Sequence, residues 1–407
     1  MKNITVTVNK SRFLENFLLF TCFSAYFFPP IRLSSGFEIR LDDIITLGIF
    51  PFLFIYKPLL YNNRIFTIFI LSLLSIIIST LYGYFYLAVP TNIRDVNEII
   101  RLSKPLLFIL LILQADSCYI MKKFEKLMSV FSVLIITIAF IQYFNPAGLG
   151  RGIASLYASE NHVNALVGHS KRIVITGSDP NIGAAIVMLF WLFNLFSGII
   201  KKNNSKIFIT LLLTIVIMMT SSRTSFLALI CIIIIFLFMS KGITFTFKLI
   251  IVAIIGFIIF MLYKYFQYIS VGFELMMSGE NTSMLVRFEK WKEAMVLFRQ
   301  SPFFGWGPGK SSMETIVDGE YVLLLRRYGI IGTFFILLFI FCMPIIKKEK
   351  KNNKYMYSKN VLIIDNVLKY YLIGIMFIMI TNSFFTSYQL LLPYVFLCMV
   401  LYKEKNI

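Results

Sequence analysis

Residues 201–242 read KKNNSKIFITLLLTIVIMMTSSRTSFLALICIIIIFLFMSKG. Two apolar runs, 206–222 and 224–240, are closed by lysines at their outer ends and joined by a turn that holds one arginine. Each run approaches the roughly 20 apolar residues that one helix needs to cross a bilayer. The turn between them leaves no room for a soluble layer, so the pair reads as a transmembrane hairpin. Lysines mark the side where it begins and ends, because basic residues are retained on the cytoplasmic side of a span.

The same pattern repeats outward in both directions. Apolar runs fall near 13–30, 44–60, 65–89, 105–117, 127–145, 181–200, 206–222, 224–240, 245–266, 328–346, 361–381 and 383–402. No small-residue cleavage site follows the first, which reads as an uncleaved span. Of 407 residues, 58% are hydrophobic and 14% charged, where a soluble chain is about half apolar and a quarter charged. A water-soluble enzyme, a disordered chain and a disulfide scaffold are all excluded. About 12 spans would use about 240 residues, which leaves little for a separate domain. The expected fold class is all-α: one polytopic membrane domain over 1–407 with about 12 transmembrane helices. The five cysteines (Cys22, Cys118, Cys231, Cys342, Cys398) lie in or beside apolar runs without CxxC spacing and read as small apolar residues.

With twelve spans, the lysine clusters near 121–126, 201–206, 240–242, 347–354 and the C-terminus all face one side, together with the N-terminus. That side is cytoplasmic, so both termini lie inside a multi-pass protein of the cytoplasmic membrane. The outer side receives 31–43, 91–104, 146–180, the turn at 221–224, 267–327 and a short turn near 382. Loops far beyond a dozen residues are usually functional or disordered. Segments 146–180 and 267–327 carry glycine, proline and charges in specific arrangements, with tryptophans in the second. Both are expected to hold short helices. Leu285, Phe288, Trp291, Met295 and Phe298 recur at helical spacing and would lie along the membrane surface.

A net charge of +19 would suggest nucleic acid in a soluble protein; here span orientation accounts for most of it, and no nucleic-acid partner is expected. What remains is a partition. About 20 of 26 lysines fall on the cytoplasmic side, and about 11 of 13 arginines fall outside or at outer helix ends. Orientation disfavours outer positive charge, so the arginines need another reason. Arginine offers a planar fork that grips phosphate bidentately, where lysine is a point charge. A phosphate-bearing ligand on the outer face explains the partition; acidic partners or membrane lipid headgroups are the alternative for any one of them.

The densest constellation is RFEKWKEAMVLFRQSPFFGWGPG, residues 287–309, followed by DGEYVLLLRRYGIIG, residues 318–332. Arg287 and Trp291 share a helix face at i, i+4, so the guanidinium can lie over the indole. Gly305, Gly307 and Gly309 would let backbone approach a ligand closely, with Trp306 and Tyr321 placed to stack on sugars. The order Arg287, Trp291, Ala294, Ser301-Pro302, Gly305-x-Gly307-x-Gly309, Asp318, Tyr321, Gly329-x2-Gly332 resembles the O-antigen polymerase and ligase superfamily, Wzy-type proteins. SSRTSFLAL at 221–229 is similar to the family's serine-arginine turn, and SDPNIGAA at 178–185 to its asparagine-containing entry to a span. The spacing from Arg172 to Gly183 also resembles a pattern in an outer loop of some polymerases.

The resemblance implies a metal-independent glycosyltransferase without cofactor. It would join undecaprenyl-pyrophosphate-linked oligosaccharide repeat units, donor and acceptor alike, into O-antigen or capsule-type polysaccharide on the outer face of the bacterial inner membrane. A chain-length regulator and a flippase would be its partners. Ligases of the superfamily place a histidine after the glycine turn, where this chain has Asp318 and Glu320; its histidines, His162 and His169, lie in the earlier loop. Polymerase is therefore preferred, with ligase and, from another class, a twelve-span lipid-linked oligosaccharide flippase as alternatives. The catalytic residues expected are Asp318 as base and Arg223 and Arg287 on the pyrophosphate. Arg172, Arg94, Arg101, Arg299, Gly305, Gly307, Trp306 and Tyr321 would bind pyrophosphate or glycan. Asp318→Asn is expected to stop polymerisation, with Glu320→Gln milder. Asp179 reads as an N-cap before Pro180, and Glu98 as an ion-pair partner for Arg94 and Arg101.

Overall fold

The computed structural model describes residues 2–32, 38–41, 43–45, 48, 64–91, 93–166, 171–239, 256, 282–310, 317–344 and 358–406. Within them the protein is an all-α polytopic bundle, apart from a two-residue antiparallel pair, Ile31–Arg32 with Glu38–Ile39. In chain order the helices are α1 (Lys2–Phe27), α2 (Arg64–Tyr86), α3 (Ile93–Ser103), α4 (Pro105–Leu111), α5 (Ser117–Phe144), α6 (Leu149–Tyr157) and α7 (Glu160–Asn164). There follow α8 (Pro180–Lys201), α9 (Asn204–Met219), α10 (Arg223–Met239), α11 (Thr282–Gln300), α12 (Glu320–Cys342), α13 (Lys359–Thr381) and α14 (Tyr388–Asn406).

Among the described residues five helices are long and apolar enough to cross a membrane: α2, α5, α8, α12 and α13. The hairpin at 201–242 forms two shorter apolar helices, α9 and α10. Runs 13–30, 105–117 and 383–402 lie in α1, α4 and α14. The fourth run is helical only over Pro105–Leu111, about 10 Å at 1.5 Å per residue. Runs 44–60 and 245–266 fall almost wholly outside the described residues.

Helix starts follow from local chemistry. Asp179 caps α8, its carboxylate accepting from Asn181 N at 2.8 Å and Ile182 N at 3.0 Å, with Pro180 at the first position. Asp116 caps α5 and Asn203 caps α9 in the same way. Of the five, α8 is buried over most of its length, packed on α9, α10 and α13. Inside it, Asn194 Nδ2 donates to Ser132 Oγ at 2.7 Å and to the Phe190 carbonyl at 2.9 Å.

Side-chain contacts sort the helix ends into two sets. At one end lysines dominate: Glu125 binds Lys201 and Lys206, Asp365 binds Lys369 and Lys405, and Lys403 donates to the Ala115 carbonyl. At the other stand Arg40 against the Ala25 carbonyl, Arg172 beside Thr220, Arg287 on Asp318 and Arg327 on Glu98. The arginine end is not free of lysine: Lys104 pairs with Asp43 there and Lys310 with Glu98.

One helix at the arginine end is broken. Within α12, Gly329 has φ 62° and ψ −167°, a region open essentially to glycine alone. A break strands carbonyls on one side and N–H groups on the other, and in an apolar interior each unmet group costs several kcal/mol. The 302–307 turn meets them. Trp306 N donates to the Arg326 carbonyl at 3.0 Å and Gly307 N to that of Arg327 at 2.8 Å. Ile330 N and Ile331 N donate in turn to the carbonyls of Pro302 and Phe303, at 2.8 and 3.3 Å. From α2, Ser79 Oγ adds a second bond to the Arg327 carbonyl at 2.6 Å.

A Cβ on Gly329 would sit 2.3 Å from the Phe303 carbonyl oxygen. Gly329→Ala therefore meets both a forbidden dihedral and a backbone clash, on the order of 1–3 kcal/mol each. Thermal unfolding of the purified variant in detergent should shift to clearly lower temperature; a wild-type transition would mean that the turn can be displaced freely.

Candidate functional site

The arginine end is assembled around the last turn of α13 and the 382–387 segment. Asp318 and Gly319 precede α12, and α11 lies across them. Arg287 Nε donates to Asp318 Oδ2 at 3.0 Å, and Trp291 Nε1 donates to the Asp318 backbone carbonyl. One helix thus holds both ends of a single residue. Trp291 also packs with Ala294, Val317, Val322 and Leu323, which fixes α11 on α12. Leu285 and Phe288, on the expected membrane-facing stripe, remain exposed, whereas Trp291 is turned inward. Tyr321 Oη donates to the Met376 carbonyl at 3.2 Å.

Glu320, two residues on, is fully buried. Its carboxylate accepts from the backbone N–H groups of Phe384, Phe385 and Thr386, the last two at 2.8 and 3.0 Å. It thereby pins the segment between α13 and α14. The second carboxylate of DGEY is thus a buried anchor.

Arg223 opens α10 directly after Ser221, whose φ is 52°, and Ser222. Its neighbour Thr224 bonds Thr381 Oγ1 at 2.7 Å, which brings the turn to the end of α13. Arg172 approaches the same turn, Nε 3.5 Å from the Thr220 carbonyl, with its other arm 3.4 Å from Asn181 Oδ1. Arg172, Arg223, Arg287, Asp318 and Tyr321, four segments apart in the chain, therefore stand around one helix end. Arg299 is exposed in the last turn of α11. Arg94 and Arg101 lie on α3, but their side chains fall outside the described residues, as does His169.

Gly305 and Gly307 come close to the chain itself. A Cβ on Gly305 would lie 2.5 Å from the Arg327 carbonyl, and one on Gly307 3.1 Å from Thr80 Cα. The glycine turn thus packs on α12 and α2, and Trp306 Nε1 donates to the Leu297 carbonyl at 2.7 Å.

A second charged group joins residues that the sequence did not bring together. Glu98 on α3 is 3% exposed and accepts from Arg327 Nη1 at 2.8 Å and Tyr328 Oη at 3.2 Å, with Lys310 Nζ 2.6 Å from its other oxygen. Arg327 and Lys310 reach it across more than 200 residues, and Asp95 beside it takes the Lys310 backbone N–H at 2.9 Å. Burial alone would raise the Glu98 carboxyl pKa; the Arg327 guanidinium and the Lys310 ammonium outweigh it, and the group lies below its ordinary value. Arg326, adjacent, is 1% exposed. Among the described residues no three His, Cys, Asp or Glu side chains group as metal ligands would.

The segment that supplies Arg223, Arg287, the glycine turn, Asp318 and Tyr321 also decides the kinship. Residues 208–322 match the family described as O-antigen ligase. That match is consistent with the O-antigen polymerase and ligase superfamily, which the motifs of the segment resemble. The match spans a little over a quarter of the chain and supports the polymerase/ligase class in general, a glycan-transferring enzyme of bacterial membranes and lipopolysaccharide biosynthesis. It gives no support to a flippase. No curated protein matches the chain.

Proposed function

We propose that this protein is the polymerase of a lipid-linked glycan: it joins oligosaccharide repeat units carried on undecaprenyl pyrophosphate, at the outer face of the cytoplasmic membrane. The observation that carries the reading is the convergence of Arg172, Arg223 and Arg287 with Asp318 at one helix end, within or beside the O-antigen ligase match.

The chemistry is a displacement at the anomeric carbon of the donor glycan. A hydroxyl at the non-reducing end of the acceptor attacks, its proton passes to a base, and undecaprenyl pyrophosphate leaves. Guanidinium forks placed where charge develops on the leaving phosphate lower the barrier. Asp318 is the carboxylate that Arg287 holds, and its side chain is 43% exposed, so a hydroxyl can reach it. Carboxylates in place of a histidine after the glycine turn favour polymerase over ligase.

Loss of the protein separates the readings. Cells lacking a polymerase display a single repeat unit on the surface lipid, cells lacking a ligase display none, and cells lacking a flippase hold the units inside. We expect single units, and Arg223→Lys should reproduce the defect in part. A lysine keeps the charge but not the fork, and a lost contact to the leaving group costs about 100-fold in rate. Full-length polymer from Arg223→Lys at normal expression would reduce Arg223 to a structural residue.

A further inference from the structure

The outer segment that delivers Arg172 begins with two helices, α6 and α7, and these flank a cleft with about 480 Å³ of free space. Ligand pockets generally enclose about 300–1,000 Å³. Helix α6 runs along the outer surface, from the end of one apolar helix to the end of another. Gly150 packs on the last turn of α5, where an added Cβ would lie 2.5 Å from the Ile141 carbonyl oxygen. Tyr157 Oη donates to the Phe27 carbonyl, at the end of α1, at 2.6 Å. At 3.6 residues per turn the residues of α6 sort onto three faces. Gly150, Ala154 and Tyr157 are buried on the bundle. Leu149, Ile153 and Leu156 form an apolar stripe, with Leu149 and Leu156 exposed. Arg151, Gly152 and Ser155 face the cleft. A surface helix with an exposed apolar stripe beside a basic face lies in the membrane interface, its stripe among the acyl chains.

The cleft carries two opposite charges, Arg151 from α6 and Glu160 from the start of α7. Asn164 Oδ1 holds Arg151 Nη2 at 2.9 Å, which leaves the other N–H groups of the guanidinium for a ligand. Among the described residues no ion pair joins Arg151 to Glu160 or gives Glu160 another partner. Gly148 and Gly152 leave the cleft open: a Cβ built on either meets nothing within 4 Å.

We propose that this cleft binds a zwitterionic aminophospholipid of the outer leaflet, with the lipid phosphate on Arg151 and its ammonium on Glu160. The guanidinium fork suits phosphate oxygens, and the carboxylate accepts from the ammonium N–H groups. The acyl chains leave past Gly152 and Leu156, along the apolar stripe. Charge complementarity selects the headgroup. A purely anionic one would set its phosphate against Glu160 with no cation between them, and a trimethylated ammonium has no N–H to donate. Just beyond α7, the Ala165 carbonyl takes the Arg172 N–H at 3.3 Å. A headgroup that bridges α6 and α7 therefore braces the loop that carries Arg172. The site is separate from the arginine group and does not rest on the reaction proposed for it.

The test titrates the full-length protein in detergent with phosphatidylethanolamine, phosphatidylglycerol or phosphatidylcholine and reads bound lipid by native mass spectrometry. Wild type should hold one equivalent of phosphatidylethanolamine about 10-fold more tightly than either of the others, the worth of one charge-assisted contact at an open site. Glu160→Gln should erase that preference, and Arg151→Gln should weaken all three lipids. Gly152→Leu fills the cleft without meeting a neighbouring atom, and leucine favours the helix, so the variant should fold normally yet lose the tight equivalent. Equal affinities of the three lipids for wild type would reduce the cleft to ordinary lipid contact and overturn the proposal. So would a tight equivalent that survives Gly152→Leu, or an ethanolamine preference that survives Glu160→Gln. Displacement by an equal concentration of free phosphoethanolamine would remove the acyl chains from the assignment, and displacement by a neutral oligosaccharide would give the cleft to glycan. No polymer is measured, so failure here leaves the proposed function standing, and loss of that function leaves this site standing.

Discussion

Replacing Glu320 by Gln should deplete folded protein from the membrane, although the change removes one charge and almost no volume. Both carboxylate oxygens are committed: one accepts from Phe384 N and Phe385 N, the other from Thr386 N and its hydroxyl. An amide keeps one oxygen and replaces the other with a donor. Whichever way it turns, at least one backbone N–H then faces an NH2 group, and no water reaches a residue that is 0% exposed. Bonds to a charged acceptor are worth about 1.5–3 kcal/mol each, and a buried unmet donor costs about 1–3 kcal/mol. The sum, several kcal/mol, is a large share of the 5–15 kcal/mol that separates folded from unfolded domains. Glu320→Ala should be worse still, because it strands all three N–H groups. Membrane abundance and the unfolding temperature in detergent measure the effect. Wild-type values for Glu320→Gln would mean that the 382–387 segment is anchored by something else.

That expectation reverses the order read from the sequence, where Glu320 and Asp318 are two carboxylates in DGEY and the glutamate change is the milder. Nothing in the tetrapeptide distinguishes them. The partners of Glu320 lie 64–66 residues downstream, in a segment that reads only as a turn between two apolar runs. The same distance hides Glu98. At i, i+4 and i, i+3 from Arg94 and Arg101 it reads as a local partner, and nothing in that spacing announces its bond to Arg327, 229 residues away. Where chemistry is local the sequence was transparent: Asp179 and Pro180 cap α8. The glycine turn falls between these cases. Its glycines announce a close backbone approach, but the surface approached is a helix broken at Gly329, inside RRYGIIG, which by hydropathy continues unbroken into the apolar run.

Asp318→Asn should leave the protein folded and abundant yet make little polymer. The Arg287–Asp318 pair is partly solvent-exposed, 23% and 43%, and such pairs contribute about 0–1 kcal/mol to stability. Trp291 bonds the backbone carbonyl of residue 318, not its carboxylate, so asparagine leaves that contact in place. Loss of a positioned base, by contrast, typically costs 10²–10⁴-fold in rate. The pair has a second explanation: Asp318 could serve only to hold Arg287 toward the phosphate. A double variant separates the two. If Asp318 only orients Arg287, its removal is worth little once Arg287→Gln has been made, and the double variant should be no slower than Arg287→Gln alone. If Asp318 takes the proton while Arg287 holds the leaving group, each carries its own share of the barrier and the double variant should be markedly slower than either. Polymer length and the single-turnover rate with purified lipid-linked repeat units give the comparison. Near-normal polymer from Asp318→Asn would release the carboxylate from the chemistry and move the search for the base to the remaining carboxylates at the arginine end.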